Sequence, residues 1–174
     1  MNITLRKLEL KDAERMYEWM QNPDICRYMQ YDFSGQTLED CSNFIKKSWE
    51  DPENRHFAVA DEKDVYMGTV SLKNIDCVNK NAEFAIVMHM DAMGTGAAGR
   101  ALHRIAEKAF FEIQLNKIYL YVRTDNIRAV KFYEKQHLDL EGCFKQHLYC
   151  GEKFRDIRYY ALLRSEYKTW CEEG

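Results

Sequence analysis

A glycine-rich turn, Met93-Gly94-Thr95-Gly96-Ala97-Ala98-Gly99, separates an alternating apolar run from the most regular amphipathic stretch of the chain. Where a strand hands over to a helix in this way, unsatisfied backbone N–H groups and the positive end of the helix dipole point outward together, and oxyanions bind there. Glycine and alanine let a ligand come close to the backbone. The start of the helix carries no carboxylate, and Arg100 is its first charge. Beyond the turn, Ala97, Ala101, Leu102, Ile105, Ala109 and Ile113 fall on one stripe, which predicts a helix over 97–113.

The flanks of the turn restrict the architecture. Residues 56–60, 66–75 and 81–88 read as strands, and their links are short enough to imply antiparallel pairing. Residues 2–8 read as a first strand with Ile3, Leu5 and Leu8 on one face. A helix follows from Lys11 to about Met20, ended by Asn22-Pro23-Asp24. The segment 24–36 reads as irregular and aromatic-rich. Thr37 caps a second helix with Leu38, Cys41, Phe44, Ile45 and Trp49 at helical spacing. After the turn come a strand over 117–122, a helix over 126–135, and strands over 144–148 and 155–163 around Gly151-Glu152. The order β-α-α-β-β-β-α-β-α-β-β describes a mixed sheet with helices, α/β or α+β by class, in one domain over 1–174. Edge strands near 144–163 offer a surface for a homodimer or higher homo-oligomer.

Composition excludes several partners. A chain of 174 residues can bury a core without disulfide or metal staples. Twenty-five basic against twenty-eight acidic residues leave a net charge of -3, which argues against nucleic acid or an anionic membrane as the main partner. No apolar run approaches the roughly 18–20 residues of a membrane-spanning helix. The start has no signal architecture, so the cytoplasm is the expected compartment. Six cysteines include no Cys-x-x-Cys pair, and none of the five histidines pairs with a cysteine at ligand spacing. Free thiols and no metal are expected.

Gly94-x-Gly96-x-x-Gly99, with Asp125 at the end of the next strand, matches the fingerprint of an NAD-binding oxidoreductase. That fold wants parallel strands and further βα units, whereas three short-linked strands precede this turn. The other reading is a pyrophosphate on the helix start, with the rest of its molecule along strand 81–88: coenzyme A.

At this point the chain resembles the GNAT (Gcn5-related) N-acetyltransferases. Their acetyl-CoA loop, Arg/Gln-x-x-Gly-x-Gly/Ala, is similar to Met93–Ala98, with Met93 where Arg or Gln is usual. That departure removes one side-chain contact and leaves the backbone cradle. Asn126-Ile-Arg-Ala129-Val-Lys-Phe-Tyr133-Glu134-Lys135 resembles the second signature, Asn-x-x-Ala-x-x-x-Tyr-Glu-Lys. His137-Leu138 replaces the usual Gly-Phe, and Leu140-Glu141-Gly142 resumes the pattern. The stretches AEFAIV, NKIYLYV and GEKFRDIRYYALLRSEY look like the ribosomal-protein and spermidine N-acetyltransferase branch, over about 55–167. The likeness fades over 24–50, where such enzymes carry a dense acidic stretch; here it keeps Asp24, Asp32, Glu39 and Asp40.

The resemblance implies a fold of about seven mostly antiparallel strands with helices on both faces. It implies acetyl-CoA as co-substrate, no metal, and direct transfer to an amine in a ternary complex. Ile86, Val87 and Met88 would pair with the pantetheine arm as though it were an added strand, and one amide would polarise the thioester carbonyl. Met93, Gly94, Thr95, Gly96, Ala97, Ala98 and Gly99 would hold the pyrophosphate. Asn126 would bond the arm or cap its helix, and small Ala129 would leave room; Lys135 closes the signature. Tyr133 would stand near the CoA sulfur as general acid, since an ordinary phenol pKa of about 10 keeps its proton.

Glu83 is the candidate base, acting through a water. A carboxylate in an otherwise apolar strand needs a reason, which is the amine's proton, its ammonium charge, or a salt bridge. Tyr28 and Tyr31, with Trp19 and Phe33, border the acceptor pocket or cover the core; Asp32 and Glu39 join Tyr28 and Tyr31 as candidate substrate contacts. A polyamine such as spermidine is the first-choice acceptor. A ribosomal-protein N-terminus or a nucleotide-linked amino sugar comes next, and a non-catalytic CoA-binding module is the reading of another class.

Overall fold

The structure is a computed structural model and describes residues 2–168 and 170. In chain order its elements are β1 (Thr4–Lys7), α1 (Ala13–Met20), α2 (Pro23–Cys26), α3 (Leu38–Ser48), β2 (Arg55–Ala60), β3 (Tyr66–Asp76), β4 (Asn81–Met88), α4 (Ala97–Glu107), β5 (Lys117–Arg123), α5 (Ile127–Lys135), β6 (Asp139–Cys150) and β7 (Lys153–Leu163). The strands form one sheet in the order β1-β2-β3-β4-β5-β7-β6. Among the described residues each neighbouring pair is antiparallel except β4 with β5. The mixed sheet and its helices are those of the expected GNAT fold.

Local side chains close the short links. Asp61 Oδ1 accepts the N–H groups of Lys63 and Val65, and Asp64 takes a left-handed φ of 62°. Asp76 Oδ1 does the same for Val78 and Asn79, with Lys80 at φ 54°. Aspartates that bond their own backbone two residues on are the usual chemistry of such turns, and β2, β3 and β4 run back and forth as the sequence predicts. Thr37 caps α3 in a reciprocal box with Asp40.

The sheet separates two cores. On one face α4 and α5 cover Val70, Leu72, Phe84, Ile118 and Leu120, with Leu102, Ile105 and Phe110 buried against them. Alanines at 97, 101 and 106 let α4 lie close to the strands. On the other face α1 and α3 bring Met16, Trp19, Cys41 and Ile45 over Ala58 and Tyr66. Each such aliphatic or aromatic side chain contributes roughly 1.5–3 kcal/mol when fully buried, so both faces are anchored wherever a helix covers them.

Several elements differ from expectation. Leu8 lies in the α1/α3 core, opposite Ile3 and Leu5, because alternation along an extended chain sends odd and even positions to opposite faces of the sheet. The first turn of the first helix, Leu10–Asp12, is 3-10, held by buried Asp12 against both terminal nitrogens of Arg6 at 2.8 Å. The aromatic segment contains the short helix α2, capped by Asn22 on the Asp24 N–H. The helix over 97–113 ends as a π turn from residue 108, which keeps Ala109 and Phe110 both buried. Leu38, Phe44 and Trp49 are exposed on α3, leaving Cys41 and Ile45 as its buried residues. The last two strands are longer than predicted, and Gly151 and Glu152 join them at φ 57° and 59°, the two-residue turn that matches strand twist. Of the two strands expected at an edge only β6 is at one; β7 runs between β5 and β6. Cys26, Cys41, Cys77, Cys143 and Cys150 are free, while Cys171 lies outside the described residues. Among the described residues no helix is long and apolar enough to cross a membrane.

Candidate active site

The parallel pair β4/β5 is short. Asn81, Ala82 and Glu83 face Lys117, Ile118 and Tyr119, and there the pairing stops. β4 stays bonded to β3 as far as Met88, and β5 stays bonded to β7 as far as Arg123. From Phe84 to Met88, therefore, one edge of β4 has no strand beside it. Unpaired strand backbone in a crevice is a site for an extended ligand that brings its own donors and acceptors. Alternation sends Phe84, Ile86 and Met88 to the α4 face and Val87 to the α1 face, with Glu83 and Ala85 on the same side as Val87.

The open edge leads into the glycine turn. Gly94 and Gly96 adopt φ of 76° and 75°, and Gly96 is the N-cap of α4. Such φ values cost an L-residue roughly 1–2 kcal/mol, so glycine belongs at both positions. Thr95 Oγ1 donates to the Ala92 carbonyl at 2.7 Å and accepts the Ala97 N–H at 3.3 Å. The Arg100 N–H reaches the Gly96 carbonyl. The N–H groups of Gly94, Gly96, Ala98 and Gly99 have no backbone or side-chain acceptor among the described residues. Arg100 folds over the turn, donating to the Thr95 carbonyl at 2.6 Å, while its Nε is buried with no partner. Met93 is exposed, and Arg128 from the first turn of α5 sets a guanidinium nitrogen 3.3 Å from its sulfur. Arg128 has no sequence signal of its own; only the fold carries it to the position where the family pattern places Arg or Gln.

α5 carries the second group of expected residues. Asn126 Oδ1 accepts the Ala129 N–H at 3.2 Å, so this side chain caps the helix. Ala129 is half-buried, and Lys135 is exposed in the last turn. The helix ends with His137 N–H on the Glu134 carbonyl and Leu138 N–H on the Tyr133 carbonyl, a Schellman closure. His137 takes the left-handed φ of 54°, which explains why glycine is usual there and implies a strain of roughly 1–2 kcal/mol. Tyr133 is buried against Phe132 and Tyr160, and its hydroxyl has no hydrogen-bond partner among the described residues. Burial pushes its phenol above the ordinary tyrosine value.

Glu83 is engaged on both oxygens. Lys73, its opposite number on β3, places Nζ 2.6 Å from Oε1, and Asn74 Nδ2 lies 3.1 Å from Oε2. Of the two candidates, Glu83 stands at the last paired position before β4 and β5 part, while Tyr133 lies in the core on the α4 and α5 side of the sheet, against Tyr160 of β7.

The candidate substrate contacts are divided. Tyr28 lines a hollow of about 570 Å³ with Arg27, Met29, Arg123, Asp125 and Arg155 among its walls. Tyr31 and Asp32 line another of about 380 Å³ with Met20, Cys26 and Phe33. Glu39 is exposed in the first turn of α3, outside both. Asp32 accepts the Ser34 N–H at 2.9 Å, and that bond holds its carboxyl below the usual range. Trp19 does not border either hollow; it is buried and donates Nε1–H to Tyr66, an indole being too large and apolar to leave the α1 core. Phe33 packs on its edge at 5.3 Å.

Comparisons with known proteins agree with this frame. The family model for the acetyltransferase (GNAT) domain matches residues 2–139. The chain is 27% identical to spermidine N(1)-acetyltransferase of Vibrio cholerae over 170 residues, covering 98% of each. It is 26% identical to the putative ribosomal N-acetyltransferase YdaF of Bacillus subtilis over 176 residues, 96% of this chain and 94% of that one. The crystal structure of the Vibrio cholerae spermidine N-acetyltransferase in complex with CoA and spermine superposes with a TM-score of 0.86 at 27% identity, covering 95% of this chain and 98% of that one.

Proposed function

This chain belongs to the GNAT acetyltransferase family, and we propose that it transfers the acetyl group of acetyl-CoA directly to a primary amine in a ternary complex. One conjunction carries the reading: the unpaired edge Phe84–Met88 runs into a glycine turn with four unsatisfied N–H groups. The turn fits a pyrophosphate. Its free donors, the buried orphan nitrogen of Arg100 and the arriving guanidinium of Arg128 are all what a polyanion needs. Ile86, Val87 and Met88 would hold the pantetheine arm. When bound, acetyl-CoA supplies an activated acyl group and a thiol leaving group.

The protein's own residues then handle protons. A free alkyl ammonium has a pKa of about 10.4, so roughly one in a thousand is neutral near pH 7.4. Glu83 takes the proton through a water, which requires its contact with Lys73 to loosen. Tyr133 keeps its own proton because burial disfavours the phenolate, and it gives that proton to the departing thiolate. General acid and base help of this kind is worth about 10²–10⁴ in rate.

The names of the relatives support a polyamine as acceptor. The carboxylates the sequence offers for it are partly committed elsewhere, Asp32 to its own turn and Asp40 to the cap of α3. A second reading, an amine that also carries an anionic group such as a nucleotide-linked amino sugar, is favoured by the arginines around Tyr28.

The test is a melting panel with acetyl-CoA, CoA, NADH and buffer, followed by thiol release with spermidine and other amines. A ligand at 100 times its Kd adds about 2.7 kcal/mol of apparent stability, which is several degrees for a domain of this size. A shift with acetyl-CoA and none with NADH is expected. The reverse pattern would sink the transferase reading.

A further inference from the structure

Three arginines meet at the end of β5 on the face of the sheet that carries Glu83. Glu83 is in register with Tyr119, and alternation puts Tyr121 and Arg123 on that same face. The hollow there is walled by Arg27 and Tyr28 from the segment after α2, by Arg123 and Asp125 after β5, and by Arg155 from the β6–β7 hairpin. Asp125 is its one carboxylate. It holds Arg123 through two bonds of 2.9 and 2.7 Å and Arg155 at 3.3 Å. Arg123 holds that carboxyl below its usual range in return. Arg27 has no carboxylate partner among the described residues and lies over the Tyr28 ring at 5.6 Å, with Arg123 over the same ring at 5.2 Å. Arg155 Nε is buried and has no hydrogen-bond partner among the described residues.

A clamp that only pinned the hairpin to β5 would need Asp125 and one or two arginines. It would leave no donor orphaned and no third guanidinium turned to the same space. Three guanidinium groups against one carboxylate leave a surplus of positive charge in one concave wall. Guanidinium forks match the oxygens of carboxylate and phosphate.

We propose that this hollow is an anion subsite for the acceptor, and that the enzyme acetylates primary amines that carry a carboxylate or phosphate group. The proposal rests on the transferase reading for the amine, and on the arginine cluster alone for the anion. The same wall selects against a polyamine, whose remaining ammonium groups would face guanidinium at close range; discrimination by repulsion is as effective as attraction.

The experiment has two arms. In the first, protein saturated with CoA is titrated with inorganic phosphate and its melting temperature followed, beside Arg27→Gln and Arg155→Gln. Saturating CoA blocks the glycine turn, and Arg27 is exposed, so its variant keeps the fold. The wild-type protein is expected to gain about 2 °C or more and both variants less than half of that. In the second, thiol release is compared for matched amines: ethanolamine against O-phosphoethanolamine, and 1,5-diaminopentane against 5-aminopentanoate. The anionic member is expected to have a kcat/KM about tenfold or more above its mate, and Arg27→Glu to reverse the order. Which anionic amine gains more identifies phosphate or carboxylate as the group. A wild-type protein that ignores phosphate, or that acetylates spermidine faster than either anionic amine, overturns the subsite. Absence of a response to acetyl-CoA overturns the transferase reading instead, and the loss of the phosphate response in Arg27→Gln and Arg155→Gln then decides the subsite.

Discussion

Lys73 and Glu83 face each other across β3 and β4, with Nζ 2.6 Å from Oε1 at the last residue before β4 and β5 part. On the proposed mechanism the amine would lose its proton beside this ion pair. On the same mechanism, the lysine marks the place an incoming ammonium would take. Glu83→Gln is expected to lower kcat/KM by about 10²-fold, with the melting temperature nearly unchanged. Lys73→Met is expected to change it by less than about tenfold. Equal losses for the two variants would show that the pair is structural.

Tyr133 makes a different prediction because its hydroxyl has no protein partner among the described residues. Tyr133→Phe should fold normally and lower kcat by about 10²-fold, with the KM for acetyl-CoA within about threefold. Burial raises the folded-state pKa of this phenol, and on the proposed mechanism its protonated form is the one that donates. The rate should therefore show no fall owing to Tyr133 until the pH is well above about 10, the ordinary tyrosine value. A rate unaltered by the substitution would remove Tyr133 from the chemistry.

Met93 and Arg128 predict a compensation. Arg128→Gln should weaken CoA binding by about five- to tenfold, the worth of roughly 1–1.4 kcal/mol for one exposed charged contact. In that background Met93→Arg should restore most of the affinity, because it returns a guanidinium to the first position of the loop. Calorimetric titration with CoA reads both. If Arg128→Gln binds CoA as well as the wild-type protein, its approach to Met93 is incidental.

His56 sets part of the pH dependence of stability. Burial pushes its imidazole below the ordinary value of 6.5, while Asp51 pulls it up and Lys73 pushes it down to smaller extents. As the pH falls through about 6.5 the unfolded chain takes up the proton before the folded one does. Stability should then decline with pH below 6.5 and level off once the folded imidazole is itself protonated. His103, lowered by burial, adds a term of the same sign. Melting curves from pH 8 to 5 should show a smaller decline for His56→Gln than for the wild-type protein.

The sequence exposes those parts of the molecule whose causes are local. Thr37 and Asp40 stand three residues apart and close their own cap, and Asp61 and Asp76 close their own turns. The stripe on α4 repeats along one helix, and Tyr133 and Asn126 belong to one contiguous signature. By contrast, Arg27, Arg123 and Arg155 are distant in the chain, and the sheet order β5-β7-β6 brings two of them together. No spacing announces such a group. β6 escaped full recognition because most of its residues are exposed, so no alternation marks it. The sequence leaves Trp19 open between pocket and core, because an aromatic near an irregular segment looks the same whether it faces a cavity or a core; the structure puts it in the core.

The gap between β4 and β5 has a bearing on the fate of the molecule in a cell. A sheet with its middle seam open is most easily pulled apart along that seam, and proteases cut chains that open. If acetyl-CoA lies in the seam from Phe84 to Met88 as proposed, it would join the two halves and lower the fraction of time they spend apart. When acetyl-CoA is abundant the protein should persist, and when it is scarce the same copies should be degraded sooner. The amount of enzyme would thus follow the supply of what it consumes, with no regulator beyond the missing half of a strand pair.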